Sequence, residues 1–337
     1  MSDFRERLEK FLASRNQSLS IEQLTPDAST RDYFRVRCDG RSAIACVYPE
    51  PFLAGEQTYL DVTRLLLSNG IPVAEVIAYD EELGIIIQED LGDTILRDVL
   101  TASTESQRDE LINDAIRLIA RIQAATNNAF ETGSIASKLK FDTEKLMWEL
   151  DFFRTHYFET LRKQPLPEVE KAGLNAEFLE LSRELESRAS VLCHRDFHAA
   201  NLMIDSYGRM RIIDHQDARI GSPAYDLVSL LLDRITELPT ADWLAEKRSL
   251  LSSERASLGL AALDETDFAY EFRLQTIQRC LKACGTFSFQ AANRGKTHFL
   301  PFIMPMFRIV LRAAENLERF PVMRSILMRE VQNGIDG

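Results

Sequence analysis

Asp196 and Asn201 stand five residues apart in Cys193-His194-Arg195-Asp196-Phe197-His198-Ala199-Ala200-Asn201, and a second carboxylate, Asp214, follows in Ile212-Ile213-Asp214-His215-Gln216-Asp217. The residues between read as a hairpin, with strands at 202–205 and 210–213 and Ser206-Tyr207-Gly208-Arg209 as its loop. On that count Leu202 pairs with Ile213, and Asn201 and Asp214 leave the open end together. One amide oxygen and one carboxylate suit Mg²⁺, which takes few protein ligands and completes its shell with waters and phosphate oxygens. Asp196, one loop away, suits the carboxylate that orients an attacking hydroxyl and accepts its proton. The chemistry is phosphoryl transfer, with Asp196 as base and Asn201 and Asp214 as metal ligands.

Neighbouring residues support that loop. In Gly221-Ser222-Pro223-Ala224-Tyr225-Asp226, Ser222 reads as a helix N-cap and Pro223 as the first helical residue. Asp226 then sits in the first turn, where it complements the helix dipole or, the favoured reading, braces the backbone of the 194–201 loop from within. His194 is expected to be a structural hydrogen-bonder, and His198 either lines the site or is a satisfied core histidine. Cys280 and Cys284 share one helix face with no partner ligands and read as packing.

The elements that must position these residues follow from periodicity. Residues 3–14 have helical apolar spacing. Tyr33-Phe34-Arg35-Val36-Arg37 and Ala43-Ile44-Ala45-Cys46-Val47 flank an Asp39-Gly40 turn and form a hairpin. A helix is expected over 54–68, ending at Asn69-Gly70, and strands at 73–79 and 84–88. Long helical patterns then run over 106–126, 142–163, 174–189, 223–236, 265–291 and 301–319, with the Pro- and Lys-containing stretch 163–173 as a loop. This is an α+β chain: a small mixed lobe at 1–91, with an antiparallel sheet, and a mainly helical lobe at 92–337 that carries the 194–201 loop.

The chain has 337 residues, 45% hydrophobic and 27% charged, which suits a folded protein with two domains or one bilobal unit. Its 40 basic and 52 acidic residues give a net charge of −12; nucleic-acid binders instead show clustered cationic excess. The opening MSDFRERLEKFLASRNQ has no apolar stretch of the export type, and the longest apolar run, residues 299–307, carries Pro301 and Pro305. Five cysteines fit reduced thiols. The expectation is a cytoplasmic protein acting on a small molecule, without nucleic acid or membrane as partner.

These residues resemble the aminoglycoside phosphotransferase and choline kinase superfamily, and within it the anomeric kinases of cell-wall amino sugars. The likeness rests on Asp27-Ala28-Ser29-Thr30-Arg31-Asp32-Tyr33-Phe34-Arg35, Glu89-Asp90-Leu91-Gly92, His194 to Met203, Ile213 to Ala218, Tyr225 to Leu230 and Gln278 to Phe287. It runs from about residue 20 to the end. It implies a protein-kinase-like bilobal fold, ATP and Mg²⁺ as cofactors, and phosphorylation of the 1-hydroxyl of N-acetylmuramate and N-acetylglucosamine, a step of bacterial peptidoglycan recycling. By the same resemblance Gln88, Glu89 and Leu91 belong to the hinge that pairs with adenine, and Ser29, Thr30 and Arg31 to the turn over the phosphates. Kinases place a lysine on the strand after that turn. Here no lysine occurs between Lys10 and Lys138, and Cys46 lies on that strand, which leaves Arg31 or Arg35 as the cation. Arg279 and Lys282, with Arg294 and Lys296, read as a face for an anionic sugar carboxylate or as a solvated helix surface. An aminoglycoside or choline acceptor, and a catalytically weak nucleotide-binding module, remain the alternatives.

Overall fold

In the computed structural model, residues 3–24 and 31–334 are described. Helix α1 (Asp3–Ser14) buries Leu8, Phe11 and Leu12, the i, i+3, i+4 stripe. Strands β1 (Ser18–Leu24), β2 (Asp32–Cys38) and β3 (Arg41–Val47) follow; at the β2–β3 turn Asp39 and Gly40 both take positive φ, 51° and 75°, the geometry that matches the twist of a two-residue hairpin. A 3-10 turn at Ala54–Glu56 precedes α2 (Thr58–Ser68), so the helix starts later than its apolar spacing suggests, at a Gln57 side-chain cap. Then come β4 (Val76–Asp80), β5 (Ile85–Glu89) and α3 (Leu96–Ala102). The strands form one antiparallel sheet in the order β1-β2-β3-β5-β4. Ile85 and Ile87 join the core under α1, while Ile86 packs with Tyr59 and Leu60 of α2 on the other face. β5 is thus buried on both sides, which explains its unbroken apolar run. Val73 lies outside β4 because it bridges to Ile212 instead.

The remainder is mostly helical: α4 (Glu105–Ala124), α5 (Thr126–Glu131), α6 (Ile135–Lys138), α7 (Thr143–Arg154) with a π-helical continuation to Leu161, and α8 (Glu168–Arg188). The stretch 163–173 is a loop only to Pro167; Glu168 and Glu170 open α8 in the turn where acidic side chains suit the helix dipole. Strands β6 (Val191–Cys193), β7 (Leu202–Ile204), β8 (Met210–Ile212) and β9 (Arg219–Gly221) interrupt, then α9 (Tyr225–Leu232), α10 (Ala241–Ser257), α11 (Glu265–Arg294), α12 (Ile303–Leu317) and α13 (Pro321–Asn333). α9 begins at Tyr225 with Ala224 as its cap, two residues after the expected Ser222. Among the described residues no helix is long and apolar enough to cross a membrane.

Two compact units emerge. The first gathers Met1–Glu105, Asn128–Ala136 and Ala199–Asp217, and so includes the β7–β8 hairpin; the second holds the other residues. In the second, α11 passes so close to α7 that a Cβ at Gly285 would lie 2.6 Å from the Phe153 Cα. Only glycine permits that approach, and it fixes the depth of the α11 side chains one turn earlier.

Candidate active site

In the second unit β6, fully buried, pairs with β9 and delivers the chain to residues 194–198. Asp226, in the first turn of α9 and 0% exposed, accepts from the backbone N–H of His194 at 2.7 Å and of Arg195 at 3.0 Å. Burial pushes its carboxyl up against the pull of His194 and those bonds. The clamp holds Arg195 at φ 89°, a conformation that costs an ordinary residue about 1–3 kcal/mol and persists only where its surroundings over-determine it. The next residue is Asp196, whose carbonyl accepts from the His198 N–H at 3.0 Å.

The Asp196 carboxylate, 24% exposed, receives Lys282 Nζ at 2.8 Å and Arg279 Nη2 at 3.2 Å, with Arg195 Nε 3.7 Å away. Burial alone would push its pKa up, but Lys282, Arg279 and Arg195 overcome that and hold the carboxyl well below the usual range. Two of the four cations that the sequence pattern offers to an acceptor carboxylate, Arg279 and Lys282, therefore lie on Asp196. His194 is buried beside Phe197, and His198 is half-buried.

In the first unit β7 pairs with β8 in the register Leu202↔Ile212, one residue from the expected Leu202 to Ile213 pairing. The reason is Asp205. Its carboxylate accepts from the Tyr207 and Arg209 N–H groups, at 2.9 and 3.0 Å, and so belongs to a five-residue loop rather than to the strand. Partly buried, it is nonetheless held down to about 2 by Arg209, those N–H groups and Arg211. The Ile213 N–H then donates to the Asn201 carbonyl, Asp214 turns at φ 63°, and Asn201 Nδ2 lies 3.4 Å from Asp214 Oδ2. His215 anchors this end, its Nε2 2.7 Å from Thr63 Oγ1 of α2 and its ring against Tyr59. An amide and a carboxylate side by side offer oxygen donors of the kind Mg²⁺ takes, and among the described residues no group of three or more His, Cys, Asp or Glu could hold a metal; the donor set fits a hard cation shared with phosphates.

Of the nucleotide-binding expectations, Ser29 and Thr30 lie outside the described residues. Arg31 reaches Tyr48 Oη at 3.4 Å with its guanidinium near the Tyr33 and Tyr48 rings. It also acts on Cys46, whose thiol burial pushes up to about 11 against the pull of Arg31. Arg31 therefore sits beside the strand position where kinases carry lysine. Arg35 is engaged elsewhere, bonding Asp90 at 2.8 Å and Asp93 at 2.6 Å. Gln88 and Glu89 end β5 and Leu91 is buried. The Glu89 carboxylate is held by Arg211 at 2.6 and 3.1 Å, and Arg211 also bonds Asp205 and the Val73 carbonyl. Sequence reasoning passed over Arg211, Arg195 and Glu149; the one available signal was a charged residue inside the apolar Met210-Arg211-Ile212 strand.

Comparison with known proteins agrees with this geometry. Over 288 residues the chain is 29% identical to the N-acetylmuramate/N-acetylglucosamine kinase of Neisseria meningitidis serogroup B, covering 85% of this chain and 83% of that protein. It is 26% identical over 293 residues to the enzyme of the same name from Caulobacter vibrioides, covering 85% and 76%. The fold is shared with choline kinase LicA from Streptococcus pneumoniae, with a TM-score of 0.56, 15% identity, and 95% and 100% of the two chains covered. Residues 20–261 match the model of the phosphotransferase enzyme family, and with most of its length inside that match, the chain belongs to this family.

Proposed function

We propose that this chain transfers the γ-phosphoryl group of ATP to the anomeric hydroxyl of N-acetylmuramate or N-acetylglucosamine. The reaction half of the reading is carried by Asp196, a carboxylate kept ionised between Lys282 and Arg279 on a loop that Asp226 fixes. The acceptor half is supported by the shared name of the curated relatives. In this reading residues 1–91 serve the nucleotide, with Gln88, Glu89 and Leu91 at the base and Arg31 at the phosphates, and residues 92–337 serve the acceptor. Asn201 and Asp214 would hold Mg²⁺, which neutralises charge on the transferred phosphate. The acceptor oxygen bonds to the γ-phosphorus, the bond from phosphorus to the bridging oxygen breaks with its electron pair going to ADP, and the acceptor proton passes to Asp196.

The test is ATP-dependent phosphorylation of each sugar and of its 1-O-methyl glycoside, with kanamycin and choline alongside. Sugar 1-phosphate is expected from the free sugars only. Equal reaction of the methyl glycosides would overturn the anomeric assignment, and reaction of kanamycin or choline alone would move the chain to another acceptor class.

A further inference from the structure

Helices α10, α11 and α12 enclose a cavity of about 90 Å³, several times the roughly 10–15 Å³ that one water needs. Leu244 of α10, Phe272 of α11 and Ile309 of α12 give it an apolar lining, and each helix adds one arginine: Arg248, Arg273 and Arg312. All three arginines are half-buried, and the cavity reaches solvent beside the exposed Asn316. The Arg248 guanidinium lies 5.2 Å from the centre of the Phe272 ring. Nη2 of Arg312 is buried and finds no hydrogen-bond partner, although buried polar groups are almost always paired. Among the described residues no carboxylate comes within ion-pair distance of any of the three, in a chain with more acids than bases. Arg188 and Arg319, in the same unit, are met by acids: Asp267 for the first, Glu180 and Glu184 for the second.

We propose that this cavity binds a small organic phosphate, its dianionic head among the three guanidiniums and a compact apolar group against Leu244, Phe272 and Ile309. Cations gathered from three helices are not the charged stripe of one solvated helix face. A fold that brings three of them to one apolar cavity bears a mutual repulsion that a bound anion removes. Each guanidinium presents a rigid fork of N–H donors that fits phosphate oxygens two at a time. Three forks match the three terminal oxygens of a phosphate monoester better than the two of a carboxylate. Inorganic phosphate would leave the apolar lining unused, which is the reason for the organic group.

The surroundings offer these arginines little else. Burial and the charge of Arg273 hold the Arg248 guanidinium below its ordinary value against a weaker pull from Glu265, and burial alone lowers Arg312. Arginine nonetheless stays protonated in proteins, so the three charges persist. The cavity is separate from the residues assigned to phosphoryl transfer. Arg273 precedes Arg279 by six residues, about 9 Å of helix rise, and no residue lining the cavity is read above as base, metal ligand or nucleotide contact. The two sites can therefore be assayed independently.

The experiment is titration calorimetry of phenyl phosphate on the full chain at saturating ADP, which keeps the probe out of the nucleotide site, with inorganic phosphate, benzoate and phenol in parallel. One phenyl phosphate per chain is expected, bound about tenfold or more tightly than any of the other three. Arg312→Met and Arg273→Met should each weaken it about tenfold or more, as the loss of hydrogen bonds to a charged group does, and leave ADP affinity near wild type. Arg312→Lys, with a point charge in place of the fork, should fall between. Affinity untouched by either methionine variant, binding that inorganic phosphate or benzoate equals, or no binding at all would overturn the proposal. The last is the result expected if the arginine stems only cover apolar surface, or if a second copy covers the cavity, which sedimentation would show as a dimer. If Arg312→Met does not fold, Arg312→Gln, which removes the charge and keeps a polar side chain, takes its place.

Discussion

Asp196→Asn leaves Lys282 and Arg279 facing an uncharged amide, and turnover is expected to fall about 10²–10⁴-fold while ATP affinity holds, because the base acts only in the transfer step. Asp214→Asn removes charge from the other site instead, so the Mg²⁺ concentration for half-maximal rate and the Kd for ATP should rise together; a metal titration that does not move would take Asp214 out of that role. Arg31→Ala should raise KM for ATP and lower kcat, whereas Arg41→Ala, at the exposed β2–β3 turn, should leave both near wild type. Steady-state kinetics on the two variants decide whether Arg31 does the work of the lysine this sheet lacks. The closeness of Asn201 and Asp214 was legible in the sequence because a short hairpin joins them. Arg211 was not: its partner Glu89 lies 122 residues away, and nothing local marks a pair that only folding brings together.

Elements were legible where backbone angles of the turn residues decide them and misjudged where a side chain or a distant contact redraws a strand end. Asp39-Gly40 forces its hairpin through two positive φ angles, but the β7–β8 register depends on an Asp205 loop that draws a strand residue out of its ladder. Val73 left β4 for a long-range reason, a bridge to Ile212 that periodicity cannot show. Arg211 joins these pieces, tying the end of β5, the Val73 carbonyl and the hairpin through one buried guanidinium. Arg211→Met takes the cation from the Glu89 carboxylate and the donor from the Val73 carbonyl, and leaves Asp205 to Arg209 and two backbone N–H groups. A loss of about 1–3 kcal/mol, that of hydrogen bonds to charged groups, is expected as a lower urea midpoint. Because Glu89 and Asn201 sit on the two joined elements, ATP affinity should weaken as well. A variant with wild-type stability and ATP affinity would show that the arginine joins nothing that matters.

At the scale of the whole molecule, a net charge of −12 coexists with a carboxylate, Asp196, ringed by Lys282, Arg279 and Arg195. Bulk charge governs solubility and long-range attraction, while the field at Asp196 is set by the local cations. The division of the chain between its two units has a further consequence. The first unit takes Asn128–Ala136 and Ala199–Asp217 from far along the sequence, so the backbone changes unit five times and no single cut releases either one. Cleavage after Glu105 yields a piece in which Val73 and Glu89 have lost Ile212 and Arg211. That piece alone should melt without a cooperative transition in circular dichroism, and adding residues 106–337 should restore one. In this sense the two units are stitched from one thread that passes back and forth, and neither is a contiguous length of chain that a simple fusion could exchange.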